Sequence, residues 1–236
     1  MRRAAVPTAL MIQRWETLTF LHWPFDSDVL QCVLPPGLTI DTFDGMAWVA
    51  LTPFRVAALK PPHTFPLPWL SYFPETNVRT YVRAPDGYPA IWFFSLDAAR
   101  LLAVAGARLM YGLPYKWASM SVISNGATVE YTSKRYGSID AGRSSIRIRT
   151  GETVLKGSLE NFLVERYRLY STITGKLVHA DVEHEPWQLS RASVLQLEEG
   201  LLAAAGLVRP KKPPLVHYSP GVEVRIGPPV LERTLP

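Results

Sequence analysis

PETNVRTYV, residues 74–82, alternates in the way that a β-strand does. One face of this strand has the side chains that suit packing: Thr76, Val78, Thr80 and Val82. The other face has large polar groups: Glu75, Asn77, Arg79 and Tyr81. Such a face lies either on a solvated sheet or inside a closed barrel. In a barrel, Glu75 and Arg79 would partly neutralise each other and leave hydrogen bonds for a ligand carboxylate or carbonyl.

The next apolar stretch, IWFF at residues 91–94, has no polar face at all. A strand of this kind must be buried on both sides or line an apolar wall. A polar strand beside a fully apolar one is typical of a ligand pocket with few polar anchors. We therefore predict a cavity lined by the polar face and by Phe93.

The rest of the chain predicts a mainly β protein with a few helices. Short alternating runs predict strands at 46–54, 115–123, 127–134, 144–150 and 222–226. Helices are predicted over 97–111, 197–205 and 26–34. The order is not β-α-β-α, which argues against a doubly wound parallel sheet. A β-barrel or sandwich with helices packed on it fits this pattern.

Two apolar segments are predicted to pack against the core. The first is helix 97–111, with Ser95 or Asp97 as its cap and Gly112 as its end. It is apolar on nearly every side, which predicts that it is mostly buried. The second is the proline-rich loop 59–70, in which Phe65 and Trp69 indicate packing.

Composition limits the classes of function. The chain has 236 residues, one cysteine and a net charge of +5. No linker or repeat divides it, so one domain is expected over 1–236, with peripheral ends at 1–12 and 228–236. A single cysteine excludes an internal disulfide. The apolar runs are too short to span a bilayer, and the N-terminus is a poor signal peptide, so a cytoplasmic protein without membrane association is expected.

Scattered basic residues indicate a solvated basic face rather than a nucleic-acid surface, and they would also suit a small anionic ligand. His179, Asp181 and Glu183 share one strand face at a spacing that could hold a divalent metal. Charged alternation of this kind is more typical of an exposed edge, so no metal and no other cofactor is predicted. No motif for a catalytic serine, a zinc protease or a nucleotide is present.

Four blocks resemble the YqjF-like family, an uncharacterised bacterial domain family: residues 20–56, 73–83, 91–122 and 214–224. That family resembles the acetoacetate-decarboxylase-like superfamily. The resemblance implies a closed antiparallel β-barrel, capped by helices, with a largely apolar central cavity. By analogy it also implies a homo-oligomer.

The resemblance departs from the true decarboxylases at the reactive amine. In those enzymes a Gly-aromatic-Pro-Lys-Lys turn provides the Schiff-base lysine and its cationic neighbour. The Schiff-base lysine is a known example of a nucleophile that a neighbouring cation activates. Here the run is Gly112-Leu113-Pro114-Tyr115-Lys116, so tyrosine replaces the reactive lysine. Tyr115 and Lys116 must face opposite sides of a strand. If Tyr115 enters the cavity, Lys116 points to the wall or to solvent.

The sequence leaves two classes of function open. In the first, the barrel binds a small keto-acid-like or enone-like molecule and performs acid–base chemistry with Glu75 as acid or base, Tyr115 as hydrogen-bond donor and Arg79 as anion clamp. Asn77, Tyr81 and Phe93 complete the predicted binding residues. In the second, the protein binds a ligand or assembles without catalysis. Schiff-base chemistry at Lys116 is a minor third reading, and genuine acetoacetate decarboxylase activity is not expected.

Overall fold

A computed structural model describes residues 5–137 and 142–232, and it is mainly β as predicted. Its strands are β1 Met11–Phe25, β2 Thr39–Ile40, β3 Ala47–Lys60, β4 Phe73–Arg83, β5 Pro89–Ala98, β6 Tyr115–Asn125, β7 Thr128–Arg135, β8 Arg143–Val154, β9 Arg168–Ile173, β10 Lys176–His184, β11 Leu189–Glu199, β12 Leu215–Ile226 and β13 Val230–Leu231. Its helices are α1 Ser27–Gln31, α2 Leu101–Tyr111, α3 Ser158–Val164 and α4 Leu201–Ala204. None of these helices is long and apolar enough to cross a membrane.

All of these strands belong to one sheet, and the sheet closes on itself. The order β5-β6-β7-β8-β11-β12-β1-β3-β4 returns to β5, which gives a closed barrel of nine strands and confirms the closed barrel that the family resemblance implied. Its pairs are antiparallel except β5–β6, which is parallel. Closure leaves no unpaired edge around this barrel.

Strands β9 and β10 close a second, smaller ring. Strand β9 pairs with the start of β5, and β10 pairs with the end of β12. A path therefore runs through β5, β4, β3, β1, β12, β10 and β9 and back to β5, and we call it the seven-strand ring. The nine-strand barrel and the seven-strand ring share the wall formed by β5, β4, β3, β1 and β12.

The nine-strand barrel is filled with apolar side chains. Val78 of β4, Leu51 of β3 and Trp23 of β1 point into this core, and Leu201 and Leu202 of α4 are completely buried in it. Side chains alternate along a strand, so the opposite face of β4 turns toward the seven-strand ring. The polar face at Glu75, Asn77 and Arg79 therefore belongs to the smaller ring, not to the filled barrel.

Helix α2 is more exposed than predicted. It begins at Leu101 because Asp97 remains in β5, where its carboxylate binds the Arg135 guanidinium at 2.8 Å. Its N-cap is Arg100, without a side-chain cap, while Gly112 ends it in the left-handed conformation as predicted. Only Val104 and Tyr111 of the helix are buried, and Leu109 is 84% exposed. The prediction of a mostly buried helix was wrong, because α2 covers the outside of the sheet.

The loop 59–70 also differs from its prediction. Phe65 is 90% exposed and Trp69 is 62% exposed, so these rings do not pack into a core. The Arg100 guanidinium stacks on the Trp69 ring, which connects the loop to the start of α2. Together the loop and α2 expose seven large apolar side chains, which we call the apolar rim: Phe65, Leu67, Trp69, Leu101, Leu102, Leu109 and Met110.

Two other boundaries in the structure differ from those predicted from the sequence. Residues 197–199 extend β11 because they pair with β8, so the predicted helix 197–205 shrinks to α4. Residues 6–12 are not peripheral: Val6 is buried, and its backbone N–H donates to Glu183. At the other end, 230–231 form the short exposed β13, and 1–4 and 233–236 lie outside the described residues.

Replacing Gly221 by alanine should lower the free energy of unfolding by about 2 to 3 kcal/mol. Gly221 has a φ of +134°, and a Cβ there would lie 2.0 Å from the Trp15 carbonyl oxygen on the neighbouring strand. Gly45→Ala is the matched control, because its φ is also positive but nothing lies within 4 Å of its Cβ position. Urea unfolding of both variants measures the difference. Equal losses would contradict the close β1–β12 contact.

Candidate functional site

The seven-strand ring encloses a small cavity, which we call the lumen, with about 70 Å³ of free volume. Each strand of the ring contributes to its wall. The apolar part of the wall includes Trp15 and Leu18 of β1, Phe54 of β3, Ile91 and Phe93 of β5, and Val182 of β10. Phe93 therefore lies where the sequence predicted it, on the apolar wall beside the polar strand.

Glu75 is buried at one end of the lumen. The Tyr115 hydroxyl donates a hydrogen bond to Glu75 Oε2 at 3.0 Å. Burial raises the pKa of Glu75 to about 8, although the hydrogen bonds from Tyr115 and Asn77 oppose the rise. Near neutral pH this carboxyl group is mostly protonated, as a general acid requires. The pKa of Tyr115 is raised well above its usual range, by burial and by the neighbouring Glu75.

Arg79 is a buried cation without a carboxylate partner among the described residues. Its guanidinium lies over the Phe20 ring at 5.3 Å, and its Nε has no hydrogen-bond partner there. The expected neutralisation between Glu75 and Arg79 was wrong, because no ion pair joins them in the described parts of the chain. A buried charge without a counterion is costly, so this position favours an anionic ligand.

Three further polar atoms of the lumen wall have no hydrogen-bond partner among the described residues. They are Asn77 Oδ1, Thr52 Oγ1 and Trp15 Nε1. The indole N–H can only donate, the hydroxyl can donate or accept, and the amide oxygen can only accept. Together with Arg79 they provide mostly donors, which suits a ligand rich in oxygen acceptors.

Two other arginines of the wall already have acidic partners. Arg166 binds Asp41 at 2.7 Å, and Arg168 binds Asp181 at 2.7 Å. Asp41 also binds the exposed Arg83 at 2.9 Å, so Arg166 shares its counterion, whereas Arg168 has Asp181 as a direct partner. Arg79 differs from both, because no carboxylate contacts its guanidinium among the lumen residues described here.

Tyr81 lies behind the site rather than on its surface. Its hydroxyl is 2.8 Å from His22 Nε2, and its ring packs against Phe162. Tyr81 also hydrogen-bonds Arg79 and is absent from the lumen wall. Burial lowers the pKa of His22 well below its usual range, so His22 is neutral. The structure thus places Tyr81 where it positions Arg79.

Tyr115 and Lys116 face opposite sides of β6. Tyr115 lines the lumen, and Lys116 is exposed on the outer face, so the structure does not bring Lys116 to the site. No lysine is found among the described residues that line the lumen. An imine with a keto acid would need an amine at this place.

The described residues contain no group of three His, Cys, Asp or Glu side chains placed to hold a metal ion. His179 lies 2.7 Å from Glu232, and Asp181 binds Arg168. Glu183 accepts the Val6 N–H and lies 3.6 Å from Arg225. The three side chains of this strand face thus have separate partners.

The sequence did not indicate several wall residues. Gln13 and Trp15 lie in a segment expected to be near a peripheral end, and Thr52 is one polar group in an apolar strand. Arg166 precedes β9 and Arg168 is its first residue. The sequence of this strand does not alternate between polar and apolar residues. Only the closure of the seven-strand ring brings these residues to Glu75 and Arg79.

Replacing Tyr115 by phenylalanine should raise the pH at which the carboxyl of Glu75 ionises. The phenol donates to that carboxyl, and hydrogen bonds to a charged group contribute about 1.5 to 3 kcal/mol, so the midpoint should rise by about one pH unit. Stability measured against pH gives this midpoint. Trp117→Phe is the control, because Trp117 lies on the same strand but is exposed and does not line the lumen. An unchanged midpoint in Tyr115→Phe would contradict the contact.

Comparison with known proteins agrees with the fold. The chain is 38% identical over 231 residues to the uncharacterized protein YqjF of Bacillus subtilis, covering 96% of this chain and 95% of that protein. Among solved structures, it is similar to an acetoacetate decarboxylase of Legionella pneumophila, with a TM-score of 0.71 and 15% identity over 99% of this chain and 91% of that chain. It is also similar to the enduracididine biosynthesis enzyme MppR complexed with pyruvate, with a TM-score of 0.68 and 13% identity over 97% of this chain and 92% of that chain.

At these low identities the two structures show the fold alone. The family evidence is stronger, because the model of an uncharacterized conserved family, DUF2071, matches residues 12–223. That range includes every strand of the nine-strand barrel and of the seven-strand ring, apart from the outermost residues of β1 and β12. The chain therefore belongs to the DUF2071 family of uncharacterized conserved proteins and has an acetoacetate-decarboxylase-like fold.

Proposed function

We propose that the lumen binds a small organic acid with a carbonyl group and catalyses proton transfer at the carbon next to that carbonyl. The observation that supports this most directly is that two ionisable side chains in unusual surroundings lie in one cavity. Glu75 is a buried carboxyl with a pKa of about 8, and Arg79 is a buried cation without a counterion among the described residues. Perturbed groups of this kind are typical of functional sites.

In this proposal Arg79 binds the ligand carboxylate. The Thr52 hydroxyl and the Trp15 indole N–H on the same wall have no hydrogen-bond partner in the described parts of the chain, and they would hold the remaining oxygens. The ionised form of Glu75 removes a proton from the carbon next to the carbonyl, which leaves an enolate. Donors already in place stabilise the enolate oxygen. The protonated Glu75 exchanges its proton with solvent and then returns a proton to the same carbon, so the cycle needs no reactant other than water.

The pKa of Glu75 suits this role. A general base is most effective when its pKa is near the working pH. At neutral pH a minority of Glu75 side chains is ionised, and each of these is a stronger base than an ordinary carboxylate. Tyr115 keeps the carboxyl oriented through its hydrogen bond to Oε2. At low substrate concentration, where the free protein determines the pH dependence, the rate should therefore rise with pH and level off above about pH 8.

Exchange of pyruvate methyl protons for deuterium in heavy water tests the proposal. Pyruvate is a suitable probe because a solved structure of similar fold is described as a complex with it. Proton NMR should show loss of the methyl signal at a rate proportional to protein concentration. If pyruvate binds but its protons do not exchange, the protein is a ligand-binding protein without catalysis, which is the alternative function. Absence of both binding and exchange, for pyruvate and for longer keto acids, would contradict the proposal.

The family resemblance also leaves partner and location as predictions. We propose a cytoplasmic protein whose partner is this small molecule, with no nucleic acid or membrane partner. A homo-oligomer is expected by analogy with the decarboxylases. Light scattering of the purified chain measures the oligomeric state.

A further inference from the structure

A second cavity, which we call the outer chamber, lies beneath α2. It has about 200 Å³ of free volume, which is more than the lumen has. Its wall is formed by apolar side chains of the helix and of the strands around it, among them Leu59, Leu70, Phe73, Leu102, Ala103 and Met110. An apolar cavity of this kind favours an apolar occupant.

The outer chamber and the lumen meet at a common partition. Six residues line both cavities: Gln13, Glu75, Leu113, Tyr115, Leu169 and Ile226. The hydrogen-bonded pair of Glu75 and Tyr115 is therefore accessible from either side. A molecule that extends past this pair would have one end beside Arg79 and the other end beneath α2.

The two ends of such a molecule would meet opposite chemistry. On the lumen side lie Arg79 and the unpartnered polar atoms of Asn77 and Thr52. On the outer side the wall has few polar groups, and the Tyr111 hydroxyl already donates to the Gly227 carbonyl oxygen. Polar and apolar walls thus lie on opposite sides of the partition.

The outer chamber also faces the exterior. Leu102 and Met110 line it and are 61% and 37% exposed. They belong to the apolar rim described above, which the loop 59–70 continues through Trp69. A chain of methylene groups would find apolar contacts from this rim to the partition.

We propose that the ligand is an amphipathic 2-oxo acid whose carboxylate lies at Arg79 and whose unbranched alkyl tail occupies the outer chamber. This inference rests on the proposed function, because it takes the acid-binding lumen as given. It adds the substrate class: a medium-chain acid rather than a short one. The carbonyl carbon and its neighbour would then lie at Glu75 and Tyr115, in the partition.

A series of straight-chain 2-oxo acids tests the inference. Calorimetric titration would compare pyruvate, 2-oxobutanoate, 2-oxohexanoate and 2-oxooctanoate. Burial of each added methylene should tighten binding by about three- to fourfold until the chamber is full. Octanol, which has a tail but no acid group, should bind far more weakly than 2-oxooctanoate.

Gly106 offers a variant that blocks only the tail. It lies on the chamber side of α2, and a Cβ there would meet nothing within 4 Å. Gly106→Phe should remove most of the advantage of 2-oxooctanoate and leave pyruvate binding unchanged. Ala105→Phe is the matched control, because Ala105 is exposed on the same helix and lines neither cavity.

The outcomes separate the two proposals. If pyruvate binds and longer tails bring no gain, the tail inference is overturned and the acid-binding lumen stands. The same holds if the gain survives in Gly106→Phe. If no acid of any length binds, the proposed function fails, and the tail inference fails with it. Both proposals are supported if affinity rises regularly with tail length in the wild type and in Ala105→Phe but not in Gly106→Phe.

Discussion

Replacing Arg79 by methionine should weaken the binding of 2-oxo acids at least about 30-fold, while the empty protein stays as stable as the wild type or becomes more stable. Loss of one member of a buried charge pair typically costs 2 to 5 kcal/mol of binding free energy. In the free protein the same cation is buried without a carboxylate partner among the described residues. Methionine has a similar volume and no charge, so it removes that desolvation cost.

Binding and unfolding must both be measured on this variant. Calorimetric titration with pyruvate gives the affinity, and urea unfolding gives the stability. Arg147→Met is a suitable control, because it removes an exposed arginine from β8 on the outside of the nine-strand barrel. Unchanged affinity in Arg79→Met would show that the anion binds elsewhere. A large loss of stability would show that Arg79 has an important structural role beyond its contacts with Phe20 and Tyr81.

Replacing Glu75 by glutamine should slow the exchange of pyruvate protons at least about 100-fold, since general acid–base groups contribute about 10² to 10⁴ in rate. Glutamine keeps the shape of the side chain and can still accept from Tyr115, so binding at Arg79 should remain. Retained binding distinguishes loss of the base from collapse of the site. Exchange that continues at the wild-type rate would exclude Glu75 as the base.

The same variant should alter how stability depends on pH. The pKa of Glu75 is raised in the folded protein to about 8 from an ordinary value of 4.5, so the folded state binds the proton more tightly than the unfolded chain does. The resulting stability is fully present below about pH 4.5 and is lost as pH rises through 8. By the usual conversion, the loss between pH 5 and 9 is about 4 kcal/mol, to order of magnitude.

Glu75→Gln should remove this loss. The difference in unfolding free energy between the variant and the wild type should therefore grow with pH in favour of the variant. Histidines do not obscure the result above about pH 6.5, because His22, His184 and His217 have pKa values lowered from that ordinary value and so alter stability only below it. Their contribution is also common to both proteins. Parallel stability curves from pH 5 to 9 would contradict the raised pKa.

Strand β4 shows how much of the site is contained in local sequence. Period-two alternation placed Glu75, Asn77 and Arg79 on one face, and the structure keeps them on one face of one strand. The same alternation separated Tyr115 from Lys116. Alternation does not show which of two enclosed spaces a face meets. That depends on the pairing of β9 with β5 and of β10 with β12, which joins residues far apart in the chain.

Helix α2 shows where composition misleads. An apolar helix is expected to be buried, but α2 leaves Leu102 and Leu109 largely exposed, and Leu102 lines the outer chamber. Likewise, Asp97 looks like a helix cap, but Arg135 and Ser133 from β7 hold its carboxylate in the sheet. In both cases tertiary contacts override the local signal. Exposed apolar residues next to an apolar cavity are better explained by a ligand or a partner than by the core.

Carbon-13 NMR of glutamate carboxyl groups, recorded from pH 4 to 10, tests the central claim most directly. We expect one carboxyl to titrate near pH 8 in the wild type and to be missing in Glu75→Gln. Saturating pyruvate should raise that midpoint further, because a second negative charge beside Glu75 disfavours its ionised form, and the rise should vanish in Arg79→Met. A spectrum in which every glutamate titrates below about pH 6, with or without pyruvate, would contradict the account.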